Sequence, residues 1–584
     1  MNFLKNILSS AIGFIIGFLI ILFFVIGITS TIASIDDFDS QYQKPIEKES
    51  ILNLDLNKII IENPPKIYGL EQALGLSDDI VDFNTILNSI KVAKDDDLII
   101  GINLKSGFPL MGWAQIKTLR DELLDFKKNG KFIYSYSDLY TQKGYYLSSV
   151  SDSIFLHDLG LIEFKGLASE VLYYKDFQDK YGFKMEIVRS GKYKSAVEPF
   201  LENKMSKNNK DQIKELLDDF WEIISNDISI SRSISLSKID SIANELSASN
   251  TQIAIKDGIL DGTLYENEYE DFLKNKLDLD SLDKIDFVNP QRLMRYNNLR
   301  KKGVRDLVAV IYVQGNIVYG AEGLDSSISH KTFIESIDKS VNDPRVKSIV
   351  LRINSPGGNA ISSDIMWNAI ENAKLKKPVV VSMGNIAASG GYYVAANADK
   401  IYVNPLTLTG SIGVFAMLPN ISKFSKLIGV NSQKVQTHSN SLGYSIYEKI
   451  TPGYKSSVLS SVEKIYYTFK EKVSDGRNIS MINVEKIAQG RVWSASSAIE
   501  KKLADDFGNL SDAISHAAKL SNIDEYNLIY YPEFKPDIEN LFSIGISLFN
   551  NKLDKKTKLF FDHFLNNQQK ISLRTEVPFH IEIK

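Results

Sequence analysis

The chain has no cysteine among its 584 residues. Disulfides, zinc–thiolate sites and a cysteine nucleophile are therefore excluded, and a thiol-free chain suits an oxidising compartment. Histidine is scarce. The six residues at 157, 330, 438, 516, 563 and 580 form no HExxH or other close ligand pair, which argues against a metal site built on histidine. There is no basic excess either. Lys plus Arg number 68 against 72 Asp plus Glu, for a net charge of −4 and a sequence pI near 6.0, so the charge gives no reason to expect nucleic acid as a partner. Charge is missing altogether from Ile7 to Ile28, ILSSAIGFIIGFLIILFFVIGI.

That uncharged run is long enough to cross a bilayer core of about 30 Å as a helix. Lys5 precedes it, and Asp36, Asp37 and Asp39 follow it. The positive-inside rule then places the N-terminus in the cytoplasm and the bulk of the chain outside. The alternative is a cleaved signal peptide, but the run exceeds a usual signal-peptide core and TIASID is a poor cleavage site. The expectation is an uncleaved single-pass anchor over 1–35, holding the rest at the outer face of the cell (inner) membrane, with membrane lipid as a partner through that anchor. The remainder is ordinary globular protein by composition, 44% hydrophobic and 24% charged, and long enough for more than one domain.

The chain repeats itself. YSYSDLYTQKGYYLSSVSDSIFLHD, from Tyr134, aligns with VSMGNIAASGGYYVAANADKIYVNP, from Val381, at a fixed offset of 247 positions, Gly144 falling on Gly391 and Asp152 on Asp399. DDLIIGINLKSGFPLMGWAQI from Asp96 matches VKSIVLRINSPGGNAISSDIM from Val346, and AIKDGILDGTLY from Ala254 matches AIEKKLADDFGNL from Ala498. Two copies of one fold are expected, over 50–275 and 305–525, joined near 275–304. The tail 526–584 has no chemical reading. Within each copy short β-branched runs (LVAVIYVQG, VKSIVLRINS, KPVVVSMG) alternate with helical stretches (WAQIKTLRDELLDFKKNG, ISSDIMWNAIENAKL). That alternation predicts an α/β class with mainly parallel sheets. The stretch 454–475 reads as an exposed amphipathic helix.

The second copy carries a chemical constellation. INSPGGNAISS sets Gly357 and Gly358 just after a strand, where bare amides can face an oxyanion. AASGGYYVAANA sets Ser389 on a strand-to-helix turn among small residues, the physical logic of a nucleophile elbow, with the Gly390 amide as a second donor. LTGSIG puts Ser411 on a further turn. No histidine lies near Ser389 to take its proton. By the offset, Ser389 corresponds to Gln142, so the first copy lacks the nucleophile. Arg491 and Trp493 read as packing residues, as do Tyr392 and Tyr393, which the first copy repeats.

SPGG, MGNIAASGGYYVA, LTGSIG and GRVWSASSAIEKKLADDFG together resemble the signal peptide peptidase A (protease IV) family, of the Clp-protease/crotonase-like superfamily, over the chain to about residue 520. One departure is Asn385, where many relatives carry an acidic residue. In the long, two-repeat members the motif SGKYKSAVEPF, here residues 190–200, carries a catalytic lysine. Sequence alone leaves Lys192 and Lys194 close to even, since an extended segment would turn both to one side; the resemblance selects Lys194. Lys194 corresponds by offset to Ser441, so each half lacks what the other keeps, and one composite site is expected. The resemblance implies Ser389 as nucleophile, Lys194 as general base, Gly358 and Gly390 as oxyanion donors, and Gly357 and Ser411 in support. It further implies no cofactor and no metal, hydrophobic peptides or cleaved signal peptides as substrates, and a homotetramer. Two other classes remain open: a crotonase-type acyl-CoA enzyme, and a catalytically inactive membrane-anchored peptide-binding scaffold.

Overall fold

The computed structural model describes residues 45–63, 80–280, 282–297, 303–320, 327–533 and 573–576. The expected membrane span lies outside the described residues. Within them, no helix is long and apolar enough to cross a membrane.

The first sheet is built from β1 (Ser50–Asp55), β2 (Ile99–Lys105), β3 (Phe132–Tyr140) and β4 (Ser153–Ile162). The second half contains β8 (Leu307–Val318), β9 (Val346–Asn359), β10 (Val379–Ala388) and β11 (Lys400–Val403). Short edge strands complete each: β6 (Gly262–Thr263) and β7 (Phe287–Val288) in the first, β13 (Asp506–Phe507) and β14 (Asn527–Tyr531) in the second. The first sheet runs β6-β4-β3-β2-β1-β7, and the same order recurs as β13-β11-β10-β9-β8-β14 within the 12-stranded sheet of the second half. They match strand for strand, and every neighbouring pair along them is parallel. The second copy therefore reaches Tyr531, past the expected end at 525, because Asn527–Tyr531 closes its edge as Phe287–Val288 closes the first.

These strands form because both faces are covered. Along β8, Ala309, Ile311 and Val313 enter one core while Val308, Val310 and Tyr312 enter another. Successive side chains point to opposite faces, so a strand buried on both reads as a continuous apolar run. The helix Pro452–Arg477 extends the expected 454–475. Its face of Val458, Val462, Tyr466, Phe469 and Val473 is buried, at helical spacing. Its counterpart in the first copy is Lys207–Arg232, and both run 26 residues to a left-handed cap, Ser233 and Asn478.

The first copy likewise runs past 275, to Val288, and one of its strands leaves its own sheet. From the first copy, β5 (Lys184–Ser190) crosses over and adds antiparallel to β12 (Val414–Asn420) of the second, in the register Ser190 opposite Val414 to Lys184 opposite Asn420. A buried bidentate ion pair also joins the halves. Arg352 Nε and Nη2 each lie 2.7 Å from the Glu62 carboxylate.

Candidate active site

Ser389 follows the last residue of β10 and caps the helix Gly390–Ala395 with φ 54° and ψ −117°. A side-chain-bearing residue in that region stores about 1–3 kcal/mol and persists only where its surroundings hold it. Here its amide donates to Gly410 O at 2.8 Å, and its carbonyl accepts from Tyr393 N at 2.8 Å. The helix behind it is pinned by Tyr392, whose hydroxyl donates to Leu503 O at 2.9 Å, and by Tyr393, whose hydroxyl donates to Asp364 at 2.7 Å. Burial, together with Asp364, pushes the Tyr393 hydroxyl far above its usual range, so it stays a donor. The elbow thus presents Ser389 at the head of a short, fixed helix.

Lys194 arrives from the other copy. After β5 the chain turns, and Ser195 N donates to Tyr193 O at 2.7 Å around a Lys194 with φ −73° and ψ 70°. That is an inverse γ-turn. It overturns the expectation that an extended segment would present Lys192 and Lys194 on one side: Lys192 is exposed, its ammonium 5.1 Å from the Tyr193 ring centre, while Lys194 is fully buried. Lys194 Nζ lies 2.7 Å from Ser389 Oγ, and 3.0 Å from both the carbonyl oxygen and the hydroxyl of Ser411. Ser389 and Ser411 are likewise fully buried.

Two residues that hold this lysine were not evident in the sequence. Gln489 O accepts from Tyr193 N at 2.9 Å. Gly490, at φ +78°, packs so closely on Lys194 that an added Cβ would stand 2.7 Å from Lys194 Cβ. The signal was the glycine opening GRVWS, but nothing in the sequence says that it faces a residue 296 positions earlier. Arg491 packs as expected, its guanidinium 4.3 Å from the Trp493 ring and 5.0 Å from that of Tyr193, with Glu215 as its ion-pair partner.

Gly358 ends β9. An added Cβ there would meet Ile317 O at 2.1 Å, so only glycine fits beside β8. Ser355 fixes the loop, accepting from Gly357 N at 3.2 Å and donating to Gly315 O at 2.6 Å. Gly390 is the first residue of its helix, and a first-turn amide has no carbonyl partner inside its own helix. A further strand lies against this edge: β15 (Leu573–Glu576), from the tail, runs antiparallel to β9 with Thr575 opposite Gly358 and Glu576 opposite Gly357. On its other side Arg574 and Leu573 stand opposite Phe415 and Ala416 of β12. The end of β9 and the start of β12 thus form a slot one strand wide.

The remaining expected positions fall apart from this cluster. Gln142 is buried and accepts from Lys165 N at 2.9 Å. The cap of its helix is Thr141, in ordinary extended conformation, its hydroxyl accepting from Gly144 N at 3.2 Å. Ser441 is exposed, accepting from His438 N at 2.9 Å. Asn385 accepts from Ala114 N at 3.0 Å and donates to Gln115 at 3.0 Å. It therefore caps a first-copy helix, Trp113–Lys127, across the junction, where a neutral amide can both accept and donate. Among the described residues no group of His, Asp and Glu could hold a metal ion.

Comparison with known proteins agrees with this layout. The family model described as "Peptidase family S49" matches twice, over residues 125–280 and 371–524, once in each copy. The chain belongs to peptidase family S49. Among S49-type relatives, Protease 4 of Haemophilus influenzae is 31% identical over 525 residues, covering 85% of this chain and 83% of that protein. Protease 4 of Salmonella typhi is 31% identical over 82% of this chain and 80% of its own. The putative signal peptide peptidase SppA of Enterococcus faecium is 32% identical over 35% of this chain and 59% of its own. A solved structure, a ClpP1 mutant from Listeria monocytogenes, aligns with 35% of this chain and 94% of its own at 13% identity and a TM-score of 0.24. That likeness is too slight to argue from, and the fold rests on the strand orders above.

Proposed function

We propose that this S49 peptidase is a membrane-anchored serine endopeptidase in which Lys194 of the first copy is the general base for Ser389 of the second. The observation that carries the reading is the environment of Nζ. A neutral amine has two N–H donors and one lone pair, and burial disfavours the charged ammonium form. The three neighbours of Nζ, at 2.7–3.0 Å, match the three N–H donors of the ammonium form, and in the neutral form that burial favours one of these positions becomes the lone pair. The Ser411 carbonyl and hydroxyl accept the two N–H bonds, and the lone pair is left to take the proton of Ser389. Ser411 thus orients the base.

The steps follow from the geometry. Nζ takes the hydroxyl proton as Ser389 Oγ bonds to a peptide carbonyl carbon, and the carbonyl oxygen becomes an oxyanion held by the Gly358 and Gly390 amides. Each such donor is commonly worth about 2.7–4 kcal/mol. Collapse breaks the C–N bond, and Nζ returns its proton to the leaving amine. Water then hydrolyses the acyl-enzyme with Nζ again as base. The substrate lies extended in the slot between β9 and β12, pairing by β-addition; the tail strand in that slot supports this track. Apolar anchor, S49 family and a relative named as a putative signal peptide peptidase together favour hydrophobic peptides released at the membrane.

The test uses the full chain in detergent micelles and a fluorogenic apolar peptide. Wild type and Lys192→Ala should cleave it, while Ser389→Ala and Lys194→Ala should not. Equal activity in all four would sink the dyad, and a chain that binds the peptide without cleaving it would be a scaffold.

A further inference from the structure

Two short helices, one from each copy, meet at the start of β5. They are Lys175–Tyr181 and Ser422–Leu427, and the offset of 247 sets KDFQDKYGF, from Lys175, over SKFSKLIGV, from Ser422. They touch at the turn that leads into β5. The Gly182 carbonyl accepts from Phe424 N at 3.1 Å, and a Cβ added at Gly182 would stand 2.6 Å from that nitrogen. A run of rings starts from this contact. Phe183 stacks on Phe424 at 4.5 Å, Phe177 lies 6.4 Å from Phe183, and Tyr181 lies 4.9 Å from Phe177. Leu427 and Ile428 follow Phe424 by three and four positions, which places them on the same side of its helix.

The resulting patch is apolar and open. Phe177 is 54% exposed, Tyr181 45%, Leu427 72% and Ile428 59%. A contiguous exposed apolar patch with a polar rim marks an interaction site. Here the rim is basic. Lys175 pairs with Asp179 and Lys184 with Glu186, which leaves three exposed lysines, Lys180, Lys423 and Lys426, against one carboxylate, Asp176. The second copy supplies the excess: Asp176 and Asp179 of the first helix are replaced by Lys423 and Lys426 in the second. Lys180 holds its ammonium 5.4 Å from the Tyr181 ring centre. Rings and branched aliphatic groups bordered by lysine are the composition of a surface that lies in the headgroup layer. Its apolar groups enter the acyl boundary, and its long side chains carry their ammonium groups to the phosphates.

We propose that this patch rests on an anionic lipid surface, a contact separate from the anchor expected over 1–35. Leu427, Ile428, Phe177 and Tyr181 enter the headgroup layer, and Lys180, Lys423 and Lys426 meet lipid phosphates. An anionic leaflet attracts each such lysine, which selects a membrane over an apolar peptide as the occupant. Four apolar side chains bind a bilayer weakly on their own, and a tether raises their effective concentration there. The uncharged run ends at Ile28, 17 positions before Pro45, so with that run in a bilayer Pro45 stays within roughly 60 Å of it. β5 leads from Lys184, beside the patch, to Ser190 opposite Val414, which holds the mouth of the slot within roughly 20 Å of the lipid. The inference rests on the patch and not on the dyad, so either can fail without the other.

The test is site-specific fluorescence of the full chain in vesicles of phosphatidylcholine and phosphatidylglycerol, with a nitroxide on a fraction of the headgroups. The natural chain has no cysteine, so Leu427→Cys carries a single environment-sensitive dye. Leu375→Cys is the control, an 85% exposed leucine outside the patch, at the end of the helix Ala360–Lys374. The lipid nitroxide should quench the dye at 427 several-fold more than the dye at 375. Lys423→Glu with Lys426→Glu should reduce quenching at 427 at least about fivefold, the effect of one lysine charge at such a surface, and vesicles of phosphatidylcholine alone should reduce it as well. Equal quenching at the two positions would overturn the proposal, and so would undiminished quenching in the charge-reversed variant. A dye at 427 that is shielded from aqueous iodide but not quenched from the lipid would also overturn it, since protein and not membrane would then cover the patch.

Discussion

Asp152 and Asp399 hold equivalent places in the two copies. Each carboxylate accepts an amide at the start of a neighbouring strand, Ile133 N at 2.8 Å and Val379 N at 2.7 Å. Arg232 with Asp261 repeats as Arg477 with Asp505, and Asp261 and Asp505 cap Ile154 and Ile401 in the same way, each at 2.7 Å. These contacts hold strands and helices in place, and both copies keep them. Ser389 and Lys194 are treated differently: Gln142 and Ser441 replace them, one buried and hydrogen-bonded, the other on an exposed turn. Where a residue serves the scaffold the copies agree, and where it would serve chemistry they divide. On the proposed mechanism, duplication produces one asymmetric centre and not two equal ones.

The comparison is broken most severely at the nucleophile. Ser389→Ala should lower kcat/KM by on the order of 10³–10⁶-fold, whereas Gln142→Ala should change it by less than about twofold, both read as peptide hydrolysis by the full chain. Adding Gln142→Ser to Ser389→Ala should restore nothing, because Lys194 faces only the second copy. Next is the ion pair that joins the halves. Arg352→Ala leaves the Glu62 carboxylate buried without its main partner, at a cost of about 3–5 kcal/mol, which chemical denaturation would register. Third, among the described residues the tail strand pairs with strands of the second copy alone. Removing residues 534–584 should lower KM for a short peptide about tenfold at unchanged kcat, since a tethered strand competes at millimolar effective concentration; an unchanged KM would mean that the strand does not compete. The smallest effect sharpens the likeness. Asp152→Asn and Asp399→Asn should each cost about 1–2 kcal/mol, equal within about 0.5 kcal/mol, in thermal unfolding.

The duplication and the parallel sheets were legible because strands covered on both faces leave unbroken β-branched runs such as LVAVIYV, and because Gly144 and Gly391 keep a constant register. The elbow was legible from the small residues around Ser389. The choice between Lys192 and Lys194 was not, since a turn of one residue decides which side chain enters the core and either would be tolerated in SGKYKS. Gly490, Gln489 and Asn385 were hidden for a different reason: each acts on a residue of the other copy, and sequence patterns report only local periodicity. The strand Leu573–Glu576 was hidden because LRTE carries no alternation of its own, and its pairing is set by the edge it meets.

The contact between Lys194 and Ser389 spans 195 positions. At translation rates of about 5–20 residues per second, with N-terminal parts folding first, the lysine leaves the ribosome about 10–40 s before the serine. On the proposed dyad, the growing chain has throughout that interval a base and nothing for it to activate. The nucleophile is supplied only when the second half is made, and it becomes competent only once β12 has received β5. The proposed dyad would thereby keep the peptidase inert until both halves are complete, with no pro-segment or inhibitor needed for the delay.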